Sequence, residues 1–247
     1  MSQFVLIHGA WGGAWEFNEV AQDLEKAGHR AVPIDLPGHG EDPAPVSTVT
    51  MEAYVARVLD EVRRADGPVI LVGHSLAGAV IAQVAEEEPA GIERLVFAAA
   101  LLPKHGESPL ELMESDGGGE LLERVVFSED QSYASLDAET IRDVMLHDVE
   151  DPEVLRRATA HMQCPQAVQP FRAEARLTSS RFGSVPKVYV RAARDRVLSP
   201  DLQARMTAGW EIERVFTLDS GHFPLLSTPS SLASVLIEIA AMEPAQG

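Results

Sequence analysis

A single cysteine, Cys164, occurs in 247 residues. An internal disulfide is therefore excluded, no thiolate cluster exists for a metal, and a reducing, cytoplasmic setting is expected. Basic residues are scarce as well: 20 Lys and Arg stand against 38 Asp and Glu, for a formal net charge of −18. Nucleic acid and anionic membrane surfaces are polyanions, so both are disfavoured as partners, as are strongly anionic substrates. No apolar run reads as a membrane span, because the longest, Val69–Ala85, is broken by Gly73-His74-Ser75. The chain enters a strand almost at its first residue, leaving no room for a basic n-region and cleavage site, so no secretion signal is expected. There is no HExxH, and the glycines after the first strand do not form G-x-G-x-x-G. Neither a metal nor any other cofactor is expected. No segment repeats and none is low in complexity.

What is present is organised around Pro68–Gly78, Pro-Val-Ile-Leu-Val-Gly-His-Ser-Leu-Ala-Gly. A β-branched apolar run that ends in a tight small-residue turn and passes directly into a helical stretch predicts strand, sharp turn and helix. Ser75 stands at the tip, the context of a nucleophile elbow. Such a turn strains the serine backbone and needs a small residue two positions earlier, which Gly73 supplies. The second small position carries Ala77 in place of glycine, with Gly78 following at once.

Around this element the pattern alternates. Strands are expected at Phe4–His8, Ala31–Asp35, Ile92–Ala98, Pro186–Ala192 and Glu213–Leu218. Helices are expected at Glu16–Lys26, at Met51–Ala65 behind a Thr50 cap, from Ser199-Pro200-Asp201 onward, and at Ser230–Met242. A Pro-rich connection covers Asp42–Thr48. This alternation predicts an α/β fold with a mostly parallel sheet covered by helices on both faces, its ligands beyond the carboxyl ends of the strands. Between Lys104 and Ser184 no convincing central strand appears. Helical pieces at Glu120–Val125, Ala138–Leu146 and Pro152–Met162 instead suggest a helical cap, 104–184, inserted into a core formed by 1–103 and 185–247.

Ser75, Asp195 and His222 each fall just past the carboxyl end of a strand, in the chain order nucleophile, acid, base. A serine hydroxyl needs a base to take its proton, and the base needs an orienting carboxylate. Asp219 is the alternative orienter, but it shares a tight loop with His222. The backbone N–H groups of Leu76 and Ala10 are the expected oxyanion donors, with Gly9 allowing close approach. Trp11, Phe171 and Phe223 are the candidates for substrate binding. Trp15, Phe127, Met162 and Leu225 could also line a pocket, with core packing as the alternative. His74 is expected to shape the elbow. His8 and His39 are expected as structural hydrogen-bonders, and His29, His105, His147 and His161 in surface or packing roles.

These residues resemble the α/β-hydrolase superfamily, and within it the branch of plant methylesterases, hydroxynitrile lyases and related bacterial esterases. The resemblance rests on Phe4–Ala10 with Gly13-Ala14-Trp15, Asp35–Gly40, Leu71–Leu76, Arg181–Val185 leading to Asp195, and Gly221-His222. It implies a serine hydrolase that works through an acyl-enzyme. The lyases of that branch usually carry Thr in the oxyanion loop and Lys directly after the histidine. Here those positions are Ala10 and Phe223, so hydrolysis is expected over cyanide elimination. The expected substrate is a small, largely neutral carboxylic ester or a carbamate, turned over by a monomer or homodimer. A non-catalytic receptor or carrier, and an acyl-transferring or lyase-like enzyme, stand as alternatives.

Overall fold

Runs of apolar, β-branched residues pair edge to edge in a computed structural model describing residues 1–42 and 44–243. Pro43, within the expected Pro-rich connection, and 244–247, at the end of the expected core segment, lie outside the described residues. The strands in chain order are β1 (Gln3–Ile7), β2 (Arg30–Ile34), β3 (Val69–His74), β4 (Ile92–Ala98), β5 (Val126–Phe127), β6 (Tyr133–Ser135), β7 (Gln166–Ala167), β8 (Lys187–Ala192) and β9 (Arg214–Leu218). Six of them form a sheet in the order β2-β1-β3-β4-β8-β9, with every pairing parallel. All six residues of β3 are buried, as the unbroken apolar run requires of a central parallel strand.

The helices are α1 (Asn18–Lys26), α2 (Met51–Arg64), α3 (Ala77–Glu87), α4 (Pro109–Glu114), α5 (Ala138–Thr140), α6 (Pro152–Met162), α7 (Gln169–Arg172), α8 (Pro200–Ala208), α9 (Pro224–Ser227) and α10 (Pro229–Ala240). The step from β1 to β2 runs one way along the sheet and those from β2 to β3 and β3 to β4 run the other way. Right-handed crossovers therefore place their helices on opposite faces. Accordingly α1 packs with α10, and α2 with α3. Strand order reverses between β1 and β3, which opens a crevice at their carboxyl ends. The loop bearing Ala10 leaves one side of that crevice and the turn bearing Ser75 leaves the other.

Several boundaries differ from the sequence expectation. The helix expected from Glu16 begins with a 3-10 turn, Ala14–Phe17, that buries Glu16 and Phe17 before α1 starts. The excursion between β4 and β8 is not purely helical. Besides α4 to α7 and a π-helical stretch at Ile141–Met145, it holds the antiparallel sheet β5-β6-β7. Strands of two or three residues are too short to show an alternating pattern, so the sequence carries no signal for them. Of the expected helical piece at Glu120–Val125, a 3-10 turn at Leu122–Arg124 is formed.

Candidate active site

Ser75 sits between β3 and α3 with φ of 52°, in the left-handed region that strains a non-glycine residue by roughly 1–2 kcal/mol. The turn is held on both sides. The Ser75 carbonyl accepts from Gly78 N–H at 3.0 Å and from Leu101 N–H at 2.9 Å. These bonds fix the hydroxyl at the mouth of the crevice.

His222 follows β9 and reaches back to the serine. The Ser75 hydroxyl lies 2.9 Å from His222 Nε2, and His222 Nδ1 lies 2.7 Å from Asp195 Oδ2. Because a carboxylate only accepts, the proton of the neutral imidazole is on Nδ1, leaving Nε2 free to accept from Ser75. The imidazole and the Asp195 carboxylate are almost fully withdrawn from solvent. Asp195 Oδ1 in turn accepts from the N–H groups of Val197 (2.7 Å) and Leu198 (2.9 Å), and Gln203 Nε2 donates to Oδ2 at 3.3 Å. Asp219, the alternative orienter, is exposed and paired with Arg194 at 2.8 Å. Burial first, and then the neighbouring His222, holds the His74 imidazole well below its ordinary pKa. It is neutral and donates from Nε2 to the His222 carbonyl at 2.8 Å.

Leu76 and Ala10 are both buried, and among the described residues no protein acceptor takes either N–H. The two loops are in close contact, since a Cβ at Gly9 would lie 2.7 Å from the Cβ of Ser75. His8 anchors this loop from below: Nδ1 donates to the Gly9 carbonyl at 2.7 Å, and Nε2 accepts from Leu36 N–H at 3.1 Å. Burial, with His39 beside it, lowers the His8 pKa to about 3, so this tautomer persists. Trp11 follows with φ of 57°.

A pocket opens onto Ser75, Ala10 and His222, walled by Met113, Met145 and Leu198 among others. Trp11, Met113 and Phe171 separate it from an adjoining chamber whose lining side chains are all apolar. That chamber meets the surface at Phe127, which is 42% exposed. Among the described residues, no group of three His, Cys, Asp or Glu side chains is arranged to hold a metal ion.

The alpha/beta hydrolase family profile matches residues 4–235. The chain belongs to this family. An esterase from Oryza sativa subsp. japonica, PIR7B, is 32% identical over 260 residues, covering 96% of this chain and 95% of that protein. The alpha-hydroxynitrile lyase of Arabidopsis thaliana is 29% identical, covering 96% of each. A solved structure of a pyrethroid hydrolase from Sphingobium faniae JZ-2 is 28% identical, with a TM-score of 0.85 and 97% of each chain covered.

Within this alpha/beta hydrolase, Trp11 and Phe171 both line the pocket beside Ser75, their ring centroids 6.0 Å apart. Phe223 does not. It is 1% exposed and packs on the core side of the histidines, its ring 4.6 Å from His74 and 5.2 Å from His222. A phenyl ring directly after the histidine is driven into the core by its own apolar surface, away from the pocket. Leu225 and Met162 are core residues, and Trp15 stacks obliquely on His161.

The excursion's contacts to Trp11 were not foreseen from the sequence. Gln166 Oε1 accepts from Trp11 N–H (3.1 Å), Ala134 O accepts from Trp11 Nε1–H (3.1 Å), and Cys164 Sγ donates to the Trp11 carbonyl (3.4 Å). Burial raises the Cys164 thiol to about 11, so it acts as a weak donor and not as a nucleophile. His147 and Asp148 reach the loops of the acid and the base. Nothing local marks Gln166 or Asp148, whereas Gln203, a polar residue on the apolar face of α8 between Leu202 and Met206, carries a readable signal.

Proposed function

We propose that this protein is a serine esterase acting on a small, largely neutral carboxylic ester, with carbamates chemically within reach. The observation that carries the reading is the unbroken contact Ser75–His222–Asp195 at the floor of an apolar pocket. In this scheme Ser75 Oγ attacks the ester carbonyl carbon while its proton passes to His222 Nε2. The negative charge on the former carbonyl oxygen is met by the N–H groups of Leu76 and Ala10. Asp195 stabilises the imidazolium, which then protonates the departing alkoxide. Water, deprotonated by the same imidazole, attacks the acyl-enzyme, and return of the proton to Ser75 releases the acid.

Names among the relatives, an esterase and a pyrethroid hydrolase, agree with ester cleavage. Lyase chemistry is disfavoured by the pocket itself: His222 is the one ionisable side chain among its described lining residues. No lysine or arginine therefore stands beside His222 to stabilise a departing cyanide. The proposal takes a small-molecule ester as the partner, without nucleic acid or membrane. It includes a monomer or homodimer in the cytoplasm, for which the free thiol of Cys164 is the supporting feature.

Ser75→Ala is expected to lower kcat on a chromogenic ester by on the order of 10⁶, as for residues acting as a unit, and to abolish labelling by a fluorophosphonate. Residual turnover close to that of the wild type would refute the scheme. Absence of turnover on every activated ester by the wild type would favour a carrier. Faster release of the acyl group to an added alcohol than to water would favour acyl transfer.

A further inference from the structure

A turn in the excursion, Leu146–Val149, is closed by the Val149 N–H to the Leu146 carbonyl at 3.0 Å, and both of these residues are buried. The two polar residues between them hydrogen-bond to different loops, and Asp148 Oδ2 also lies 3.8 Å from the Arg194 guanidinium. His147 Nε2 donates to the carbonyl of Arg194 at 2.8 Å, and Asp148 Oδ2 accepts from the N–H of Gly221 at 2.5 Å. Arg194 immediately precedes Asp195, and Gly221 immediately precedes His222. One dipeptide therefore grips the backbone just before the acid and just before the base. Contact is tight enough that a Cβ at position 221 would fall 2.5 Å from Asp148 Oδ1 and 3.0 Å from His147 Nε2. Asp148 Oδ1 is itself buried with no hydrogen-bond partner among the described residues, a desolvated carboxylate oxygen that only a specific arrangement retains.

We propose that His147 and Asp148 are positioning residues for the triad, setting from outside the main sheet the separation at which His222 meets Asp195. This rests on the reading of Ser75, Asp195 and His222 as the reacting groups. The two loops also hold each other directly, through Arg194 N–H to the Ser220 carbonyl (2.9 Å) and the Arg194–Asp219 ion pair (2.8 Å). A dipeptide that only added stability would leave the triad geometry unchanged when removed.

The test compares wild type, Asp148→Ala, Asp148→Asn and His147→Ala, each full-length. The readouts are kcat and KM on a p-nitrophenyl ester, and the low-field proton resonance of the His222 Nδ1–H shared with Asp195. In Asp148→Ala the kcat is expected to fall ~10- to 100-fold with KM little changed, as for sub-ångström to ångström misplacement of a reacting group. The low-field resonance is expected to move upfield or to be lost to exchange. Asp148→Asn keeps an oxygen that accepts from Gly221 N–H, and is expected to restore most of the lost turnover. A folded Asp148→Ala with unchanged kcat and resonance overturns the proposal, as does a loss confined to KM, or an Asn variant as impaired as the Ala variant. Should Asp148→Ala fail to fold, His147→Ala carries the same expectation and the same refutation. If the wild type hydrolyses no ester, the function proposed above fails while the resonance comparison still decides the positioning role.

Discussion

Glu16 lies 1% exposed beneath the glycine-rich loop that carries Ala10, and neither carboxyl oxygen has a hydrogen-bond partner among the described residues. Burial, opposed in part by the Gly13 backbone and reinforced by Asp35, pushes its pKa well above the ordinary 4.5. The native state thus holds this proton more tightly than the unfolded chain does. Its contribution to stability is fully present below about 4.5 and is lost as pH rises toward the raised native value. Glu16→Gln, which cannot ionise, is expected to raise Tm at neutral pH, with a gain that grows between pH 5 and the native pKa. Paired melting curves across pH check it, and an equal effect at all pH values would contradict it. At this same scale the sequence favoured Asp195 over Asp219 because Asp219 shares a tight loop with His222 and would have to fold back to reach its imidazole. It could not foresee Phe223 turning inward, since an apolar ring satisfies a pocket wall and a core equally well.

The elbow shows how an element resolves a departure from a sequence pattern. Ala77 is fully buried, and the close approach of α3 to the segment that follows β4 falls one residue later. A Cβ at Gly78 would stand 2.2 Å from the Leu101 carbonyl oxygen and 2.9 Å from Ala100 Cβ. Gly78→Ala is therefore expected to destabilise by about 1–3 kcal/mol through overpacking against backbone. Activity should fall as well, because Leu101 N–H is bonded to the Ser75 carbonyl. Ala77→Gly, which restores the familiar motif, is expected to lose at most about 1 kcal/mol from reduced helix propensity and to leave kcat unchanged. Thermal melts with ester assays on both variants separate the two positions. Elements of this kind were legible because their signals are long and one-sided: β4 and α6 match the sequence boundaries, and Thr50 caps α2 by accepting from Ala53 N–H at 3.3 Å. The strands β5 to β7 were not, since their pairing is set by the excursion's tertiary contacts.

Across the whole molecule, an acidic surface surrounds a chamber with no charged lining residue. Lengthening one side of a p-nitrophenyl or alkyl ester is expected to raise kcat/KM by about fourfold per methylene until the chamber fills, following ~0.8 kcal/mol per buried CH₂. A carboxylate-bearing acyl group should be at least ~10-fold poorer than its neutral isostere, because a charge enters unpaired among apolar walls. Added salt screens long-range repulsion but does not remove that desolvation, so the deficit is expected to persist at 0.5–1 M NaCl, on the order of concentrations that shorten the screening length to a few ångströms. A deficit abolished by salt would assign the discrimination to surface charge instead.

The same excursion that roofs this chamber also secures the turn after β8. Ser199 N–H donates to Asp116 at 2.8 Å, Glu120 N–H donates to the Arg196 carbonyl at 2.7 Å, and Arg196 donates to the Asp143 carbonyl at 3.1 Å. Grafting a foreign roof onto this scaffold to change its selectivity would consequently do more than exchange pocket walls. Unless the transplant brings its own anchors for that turn, the chimera is expected to bind its new ligand and turn it over poorly.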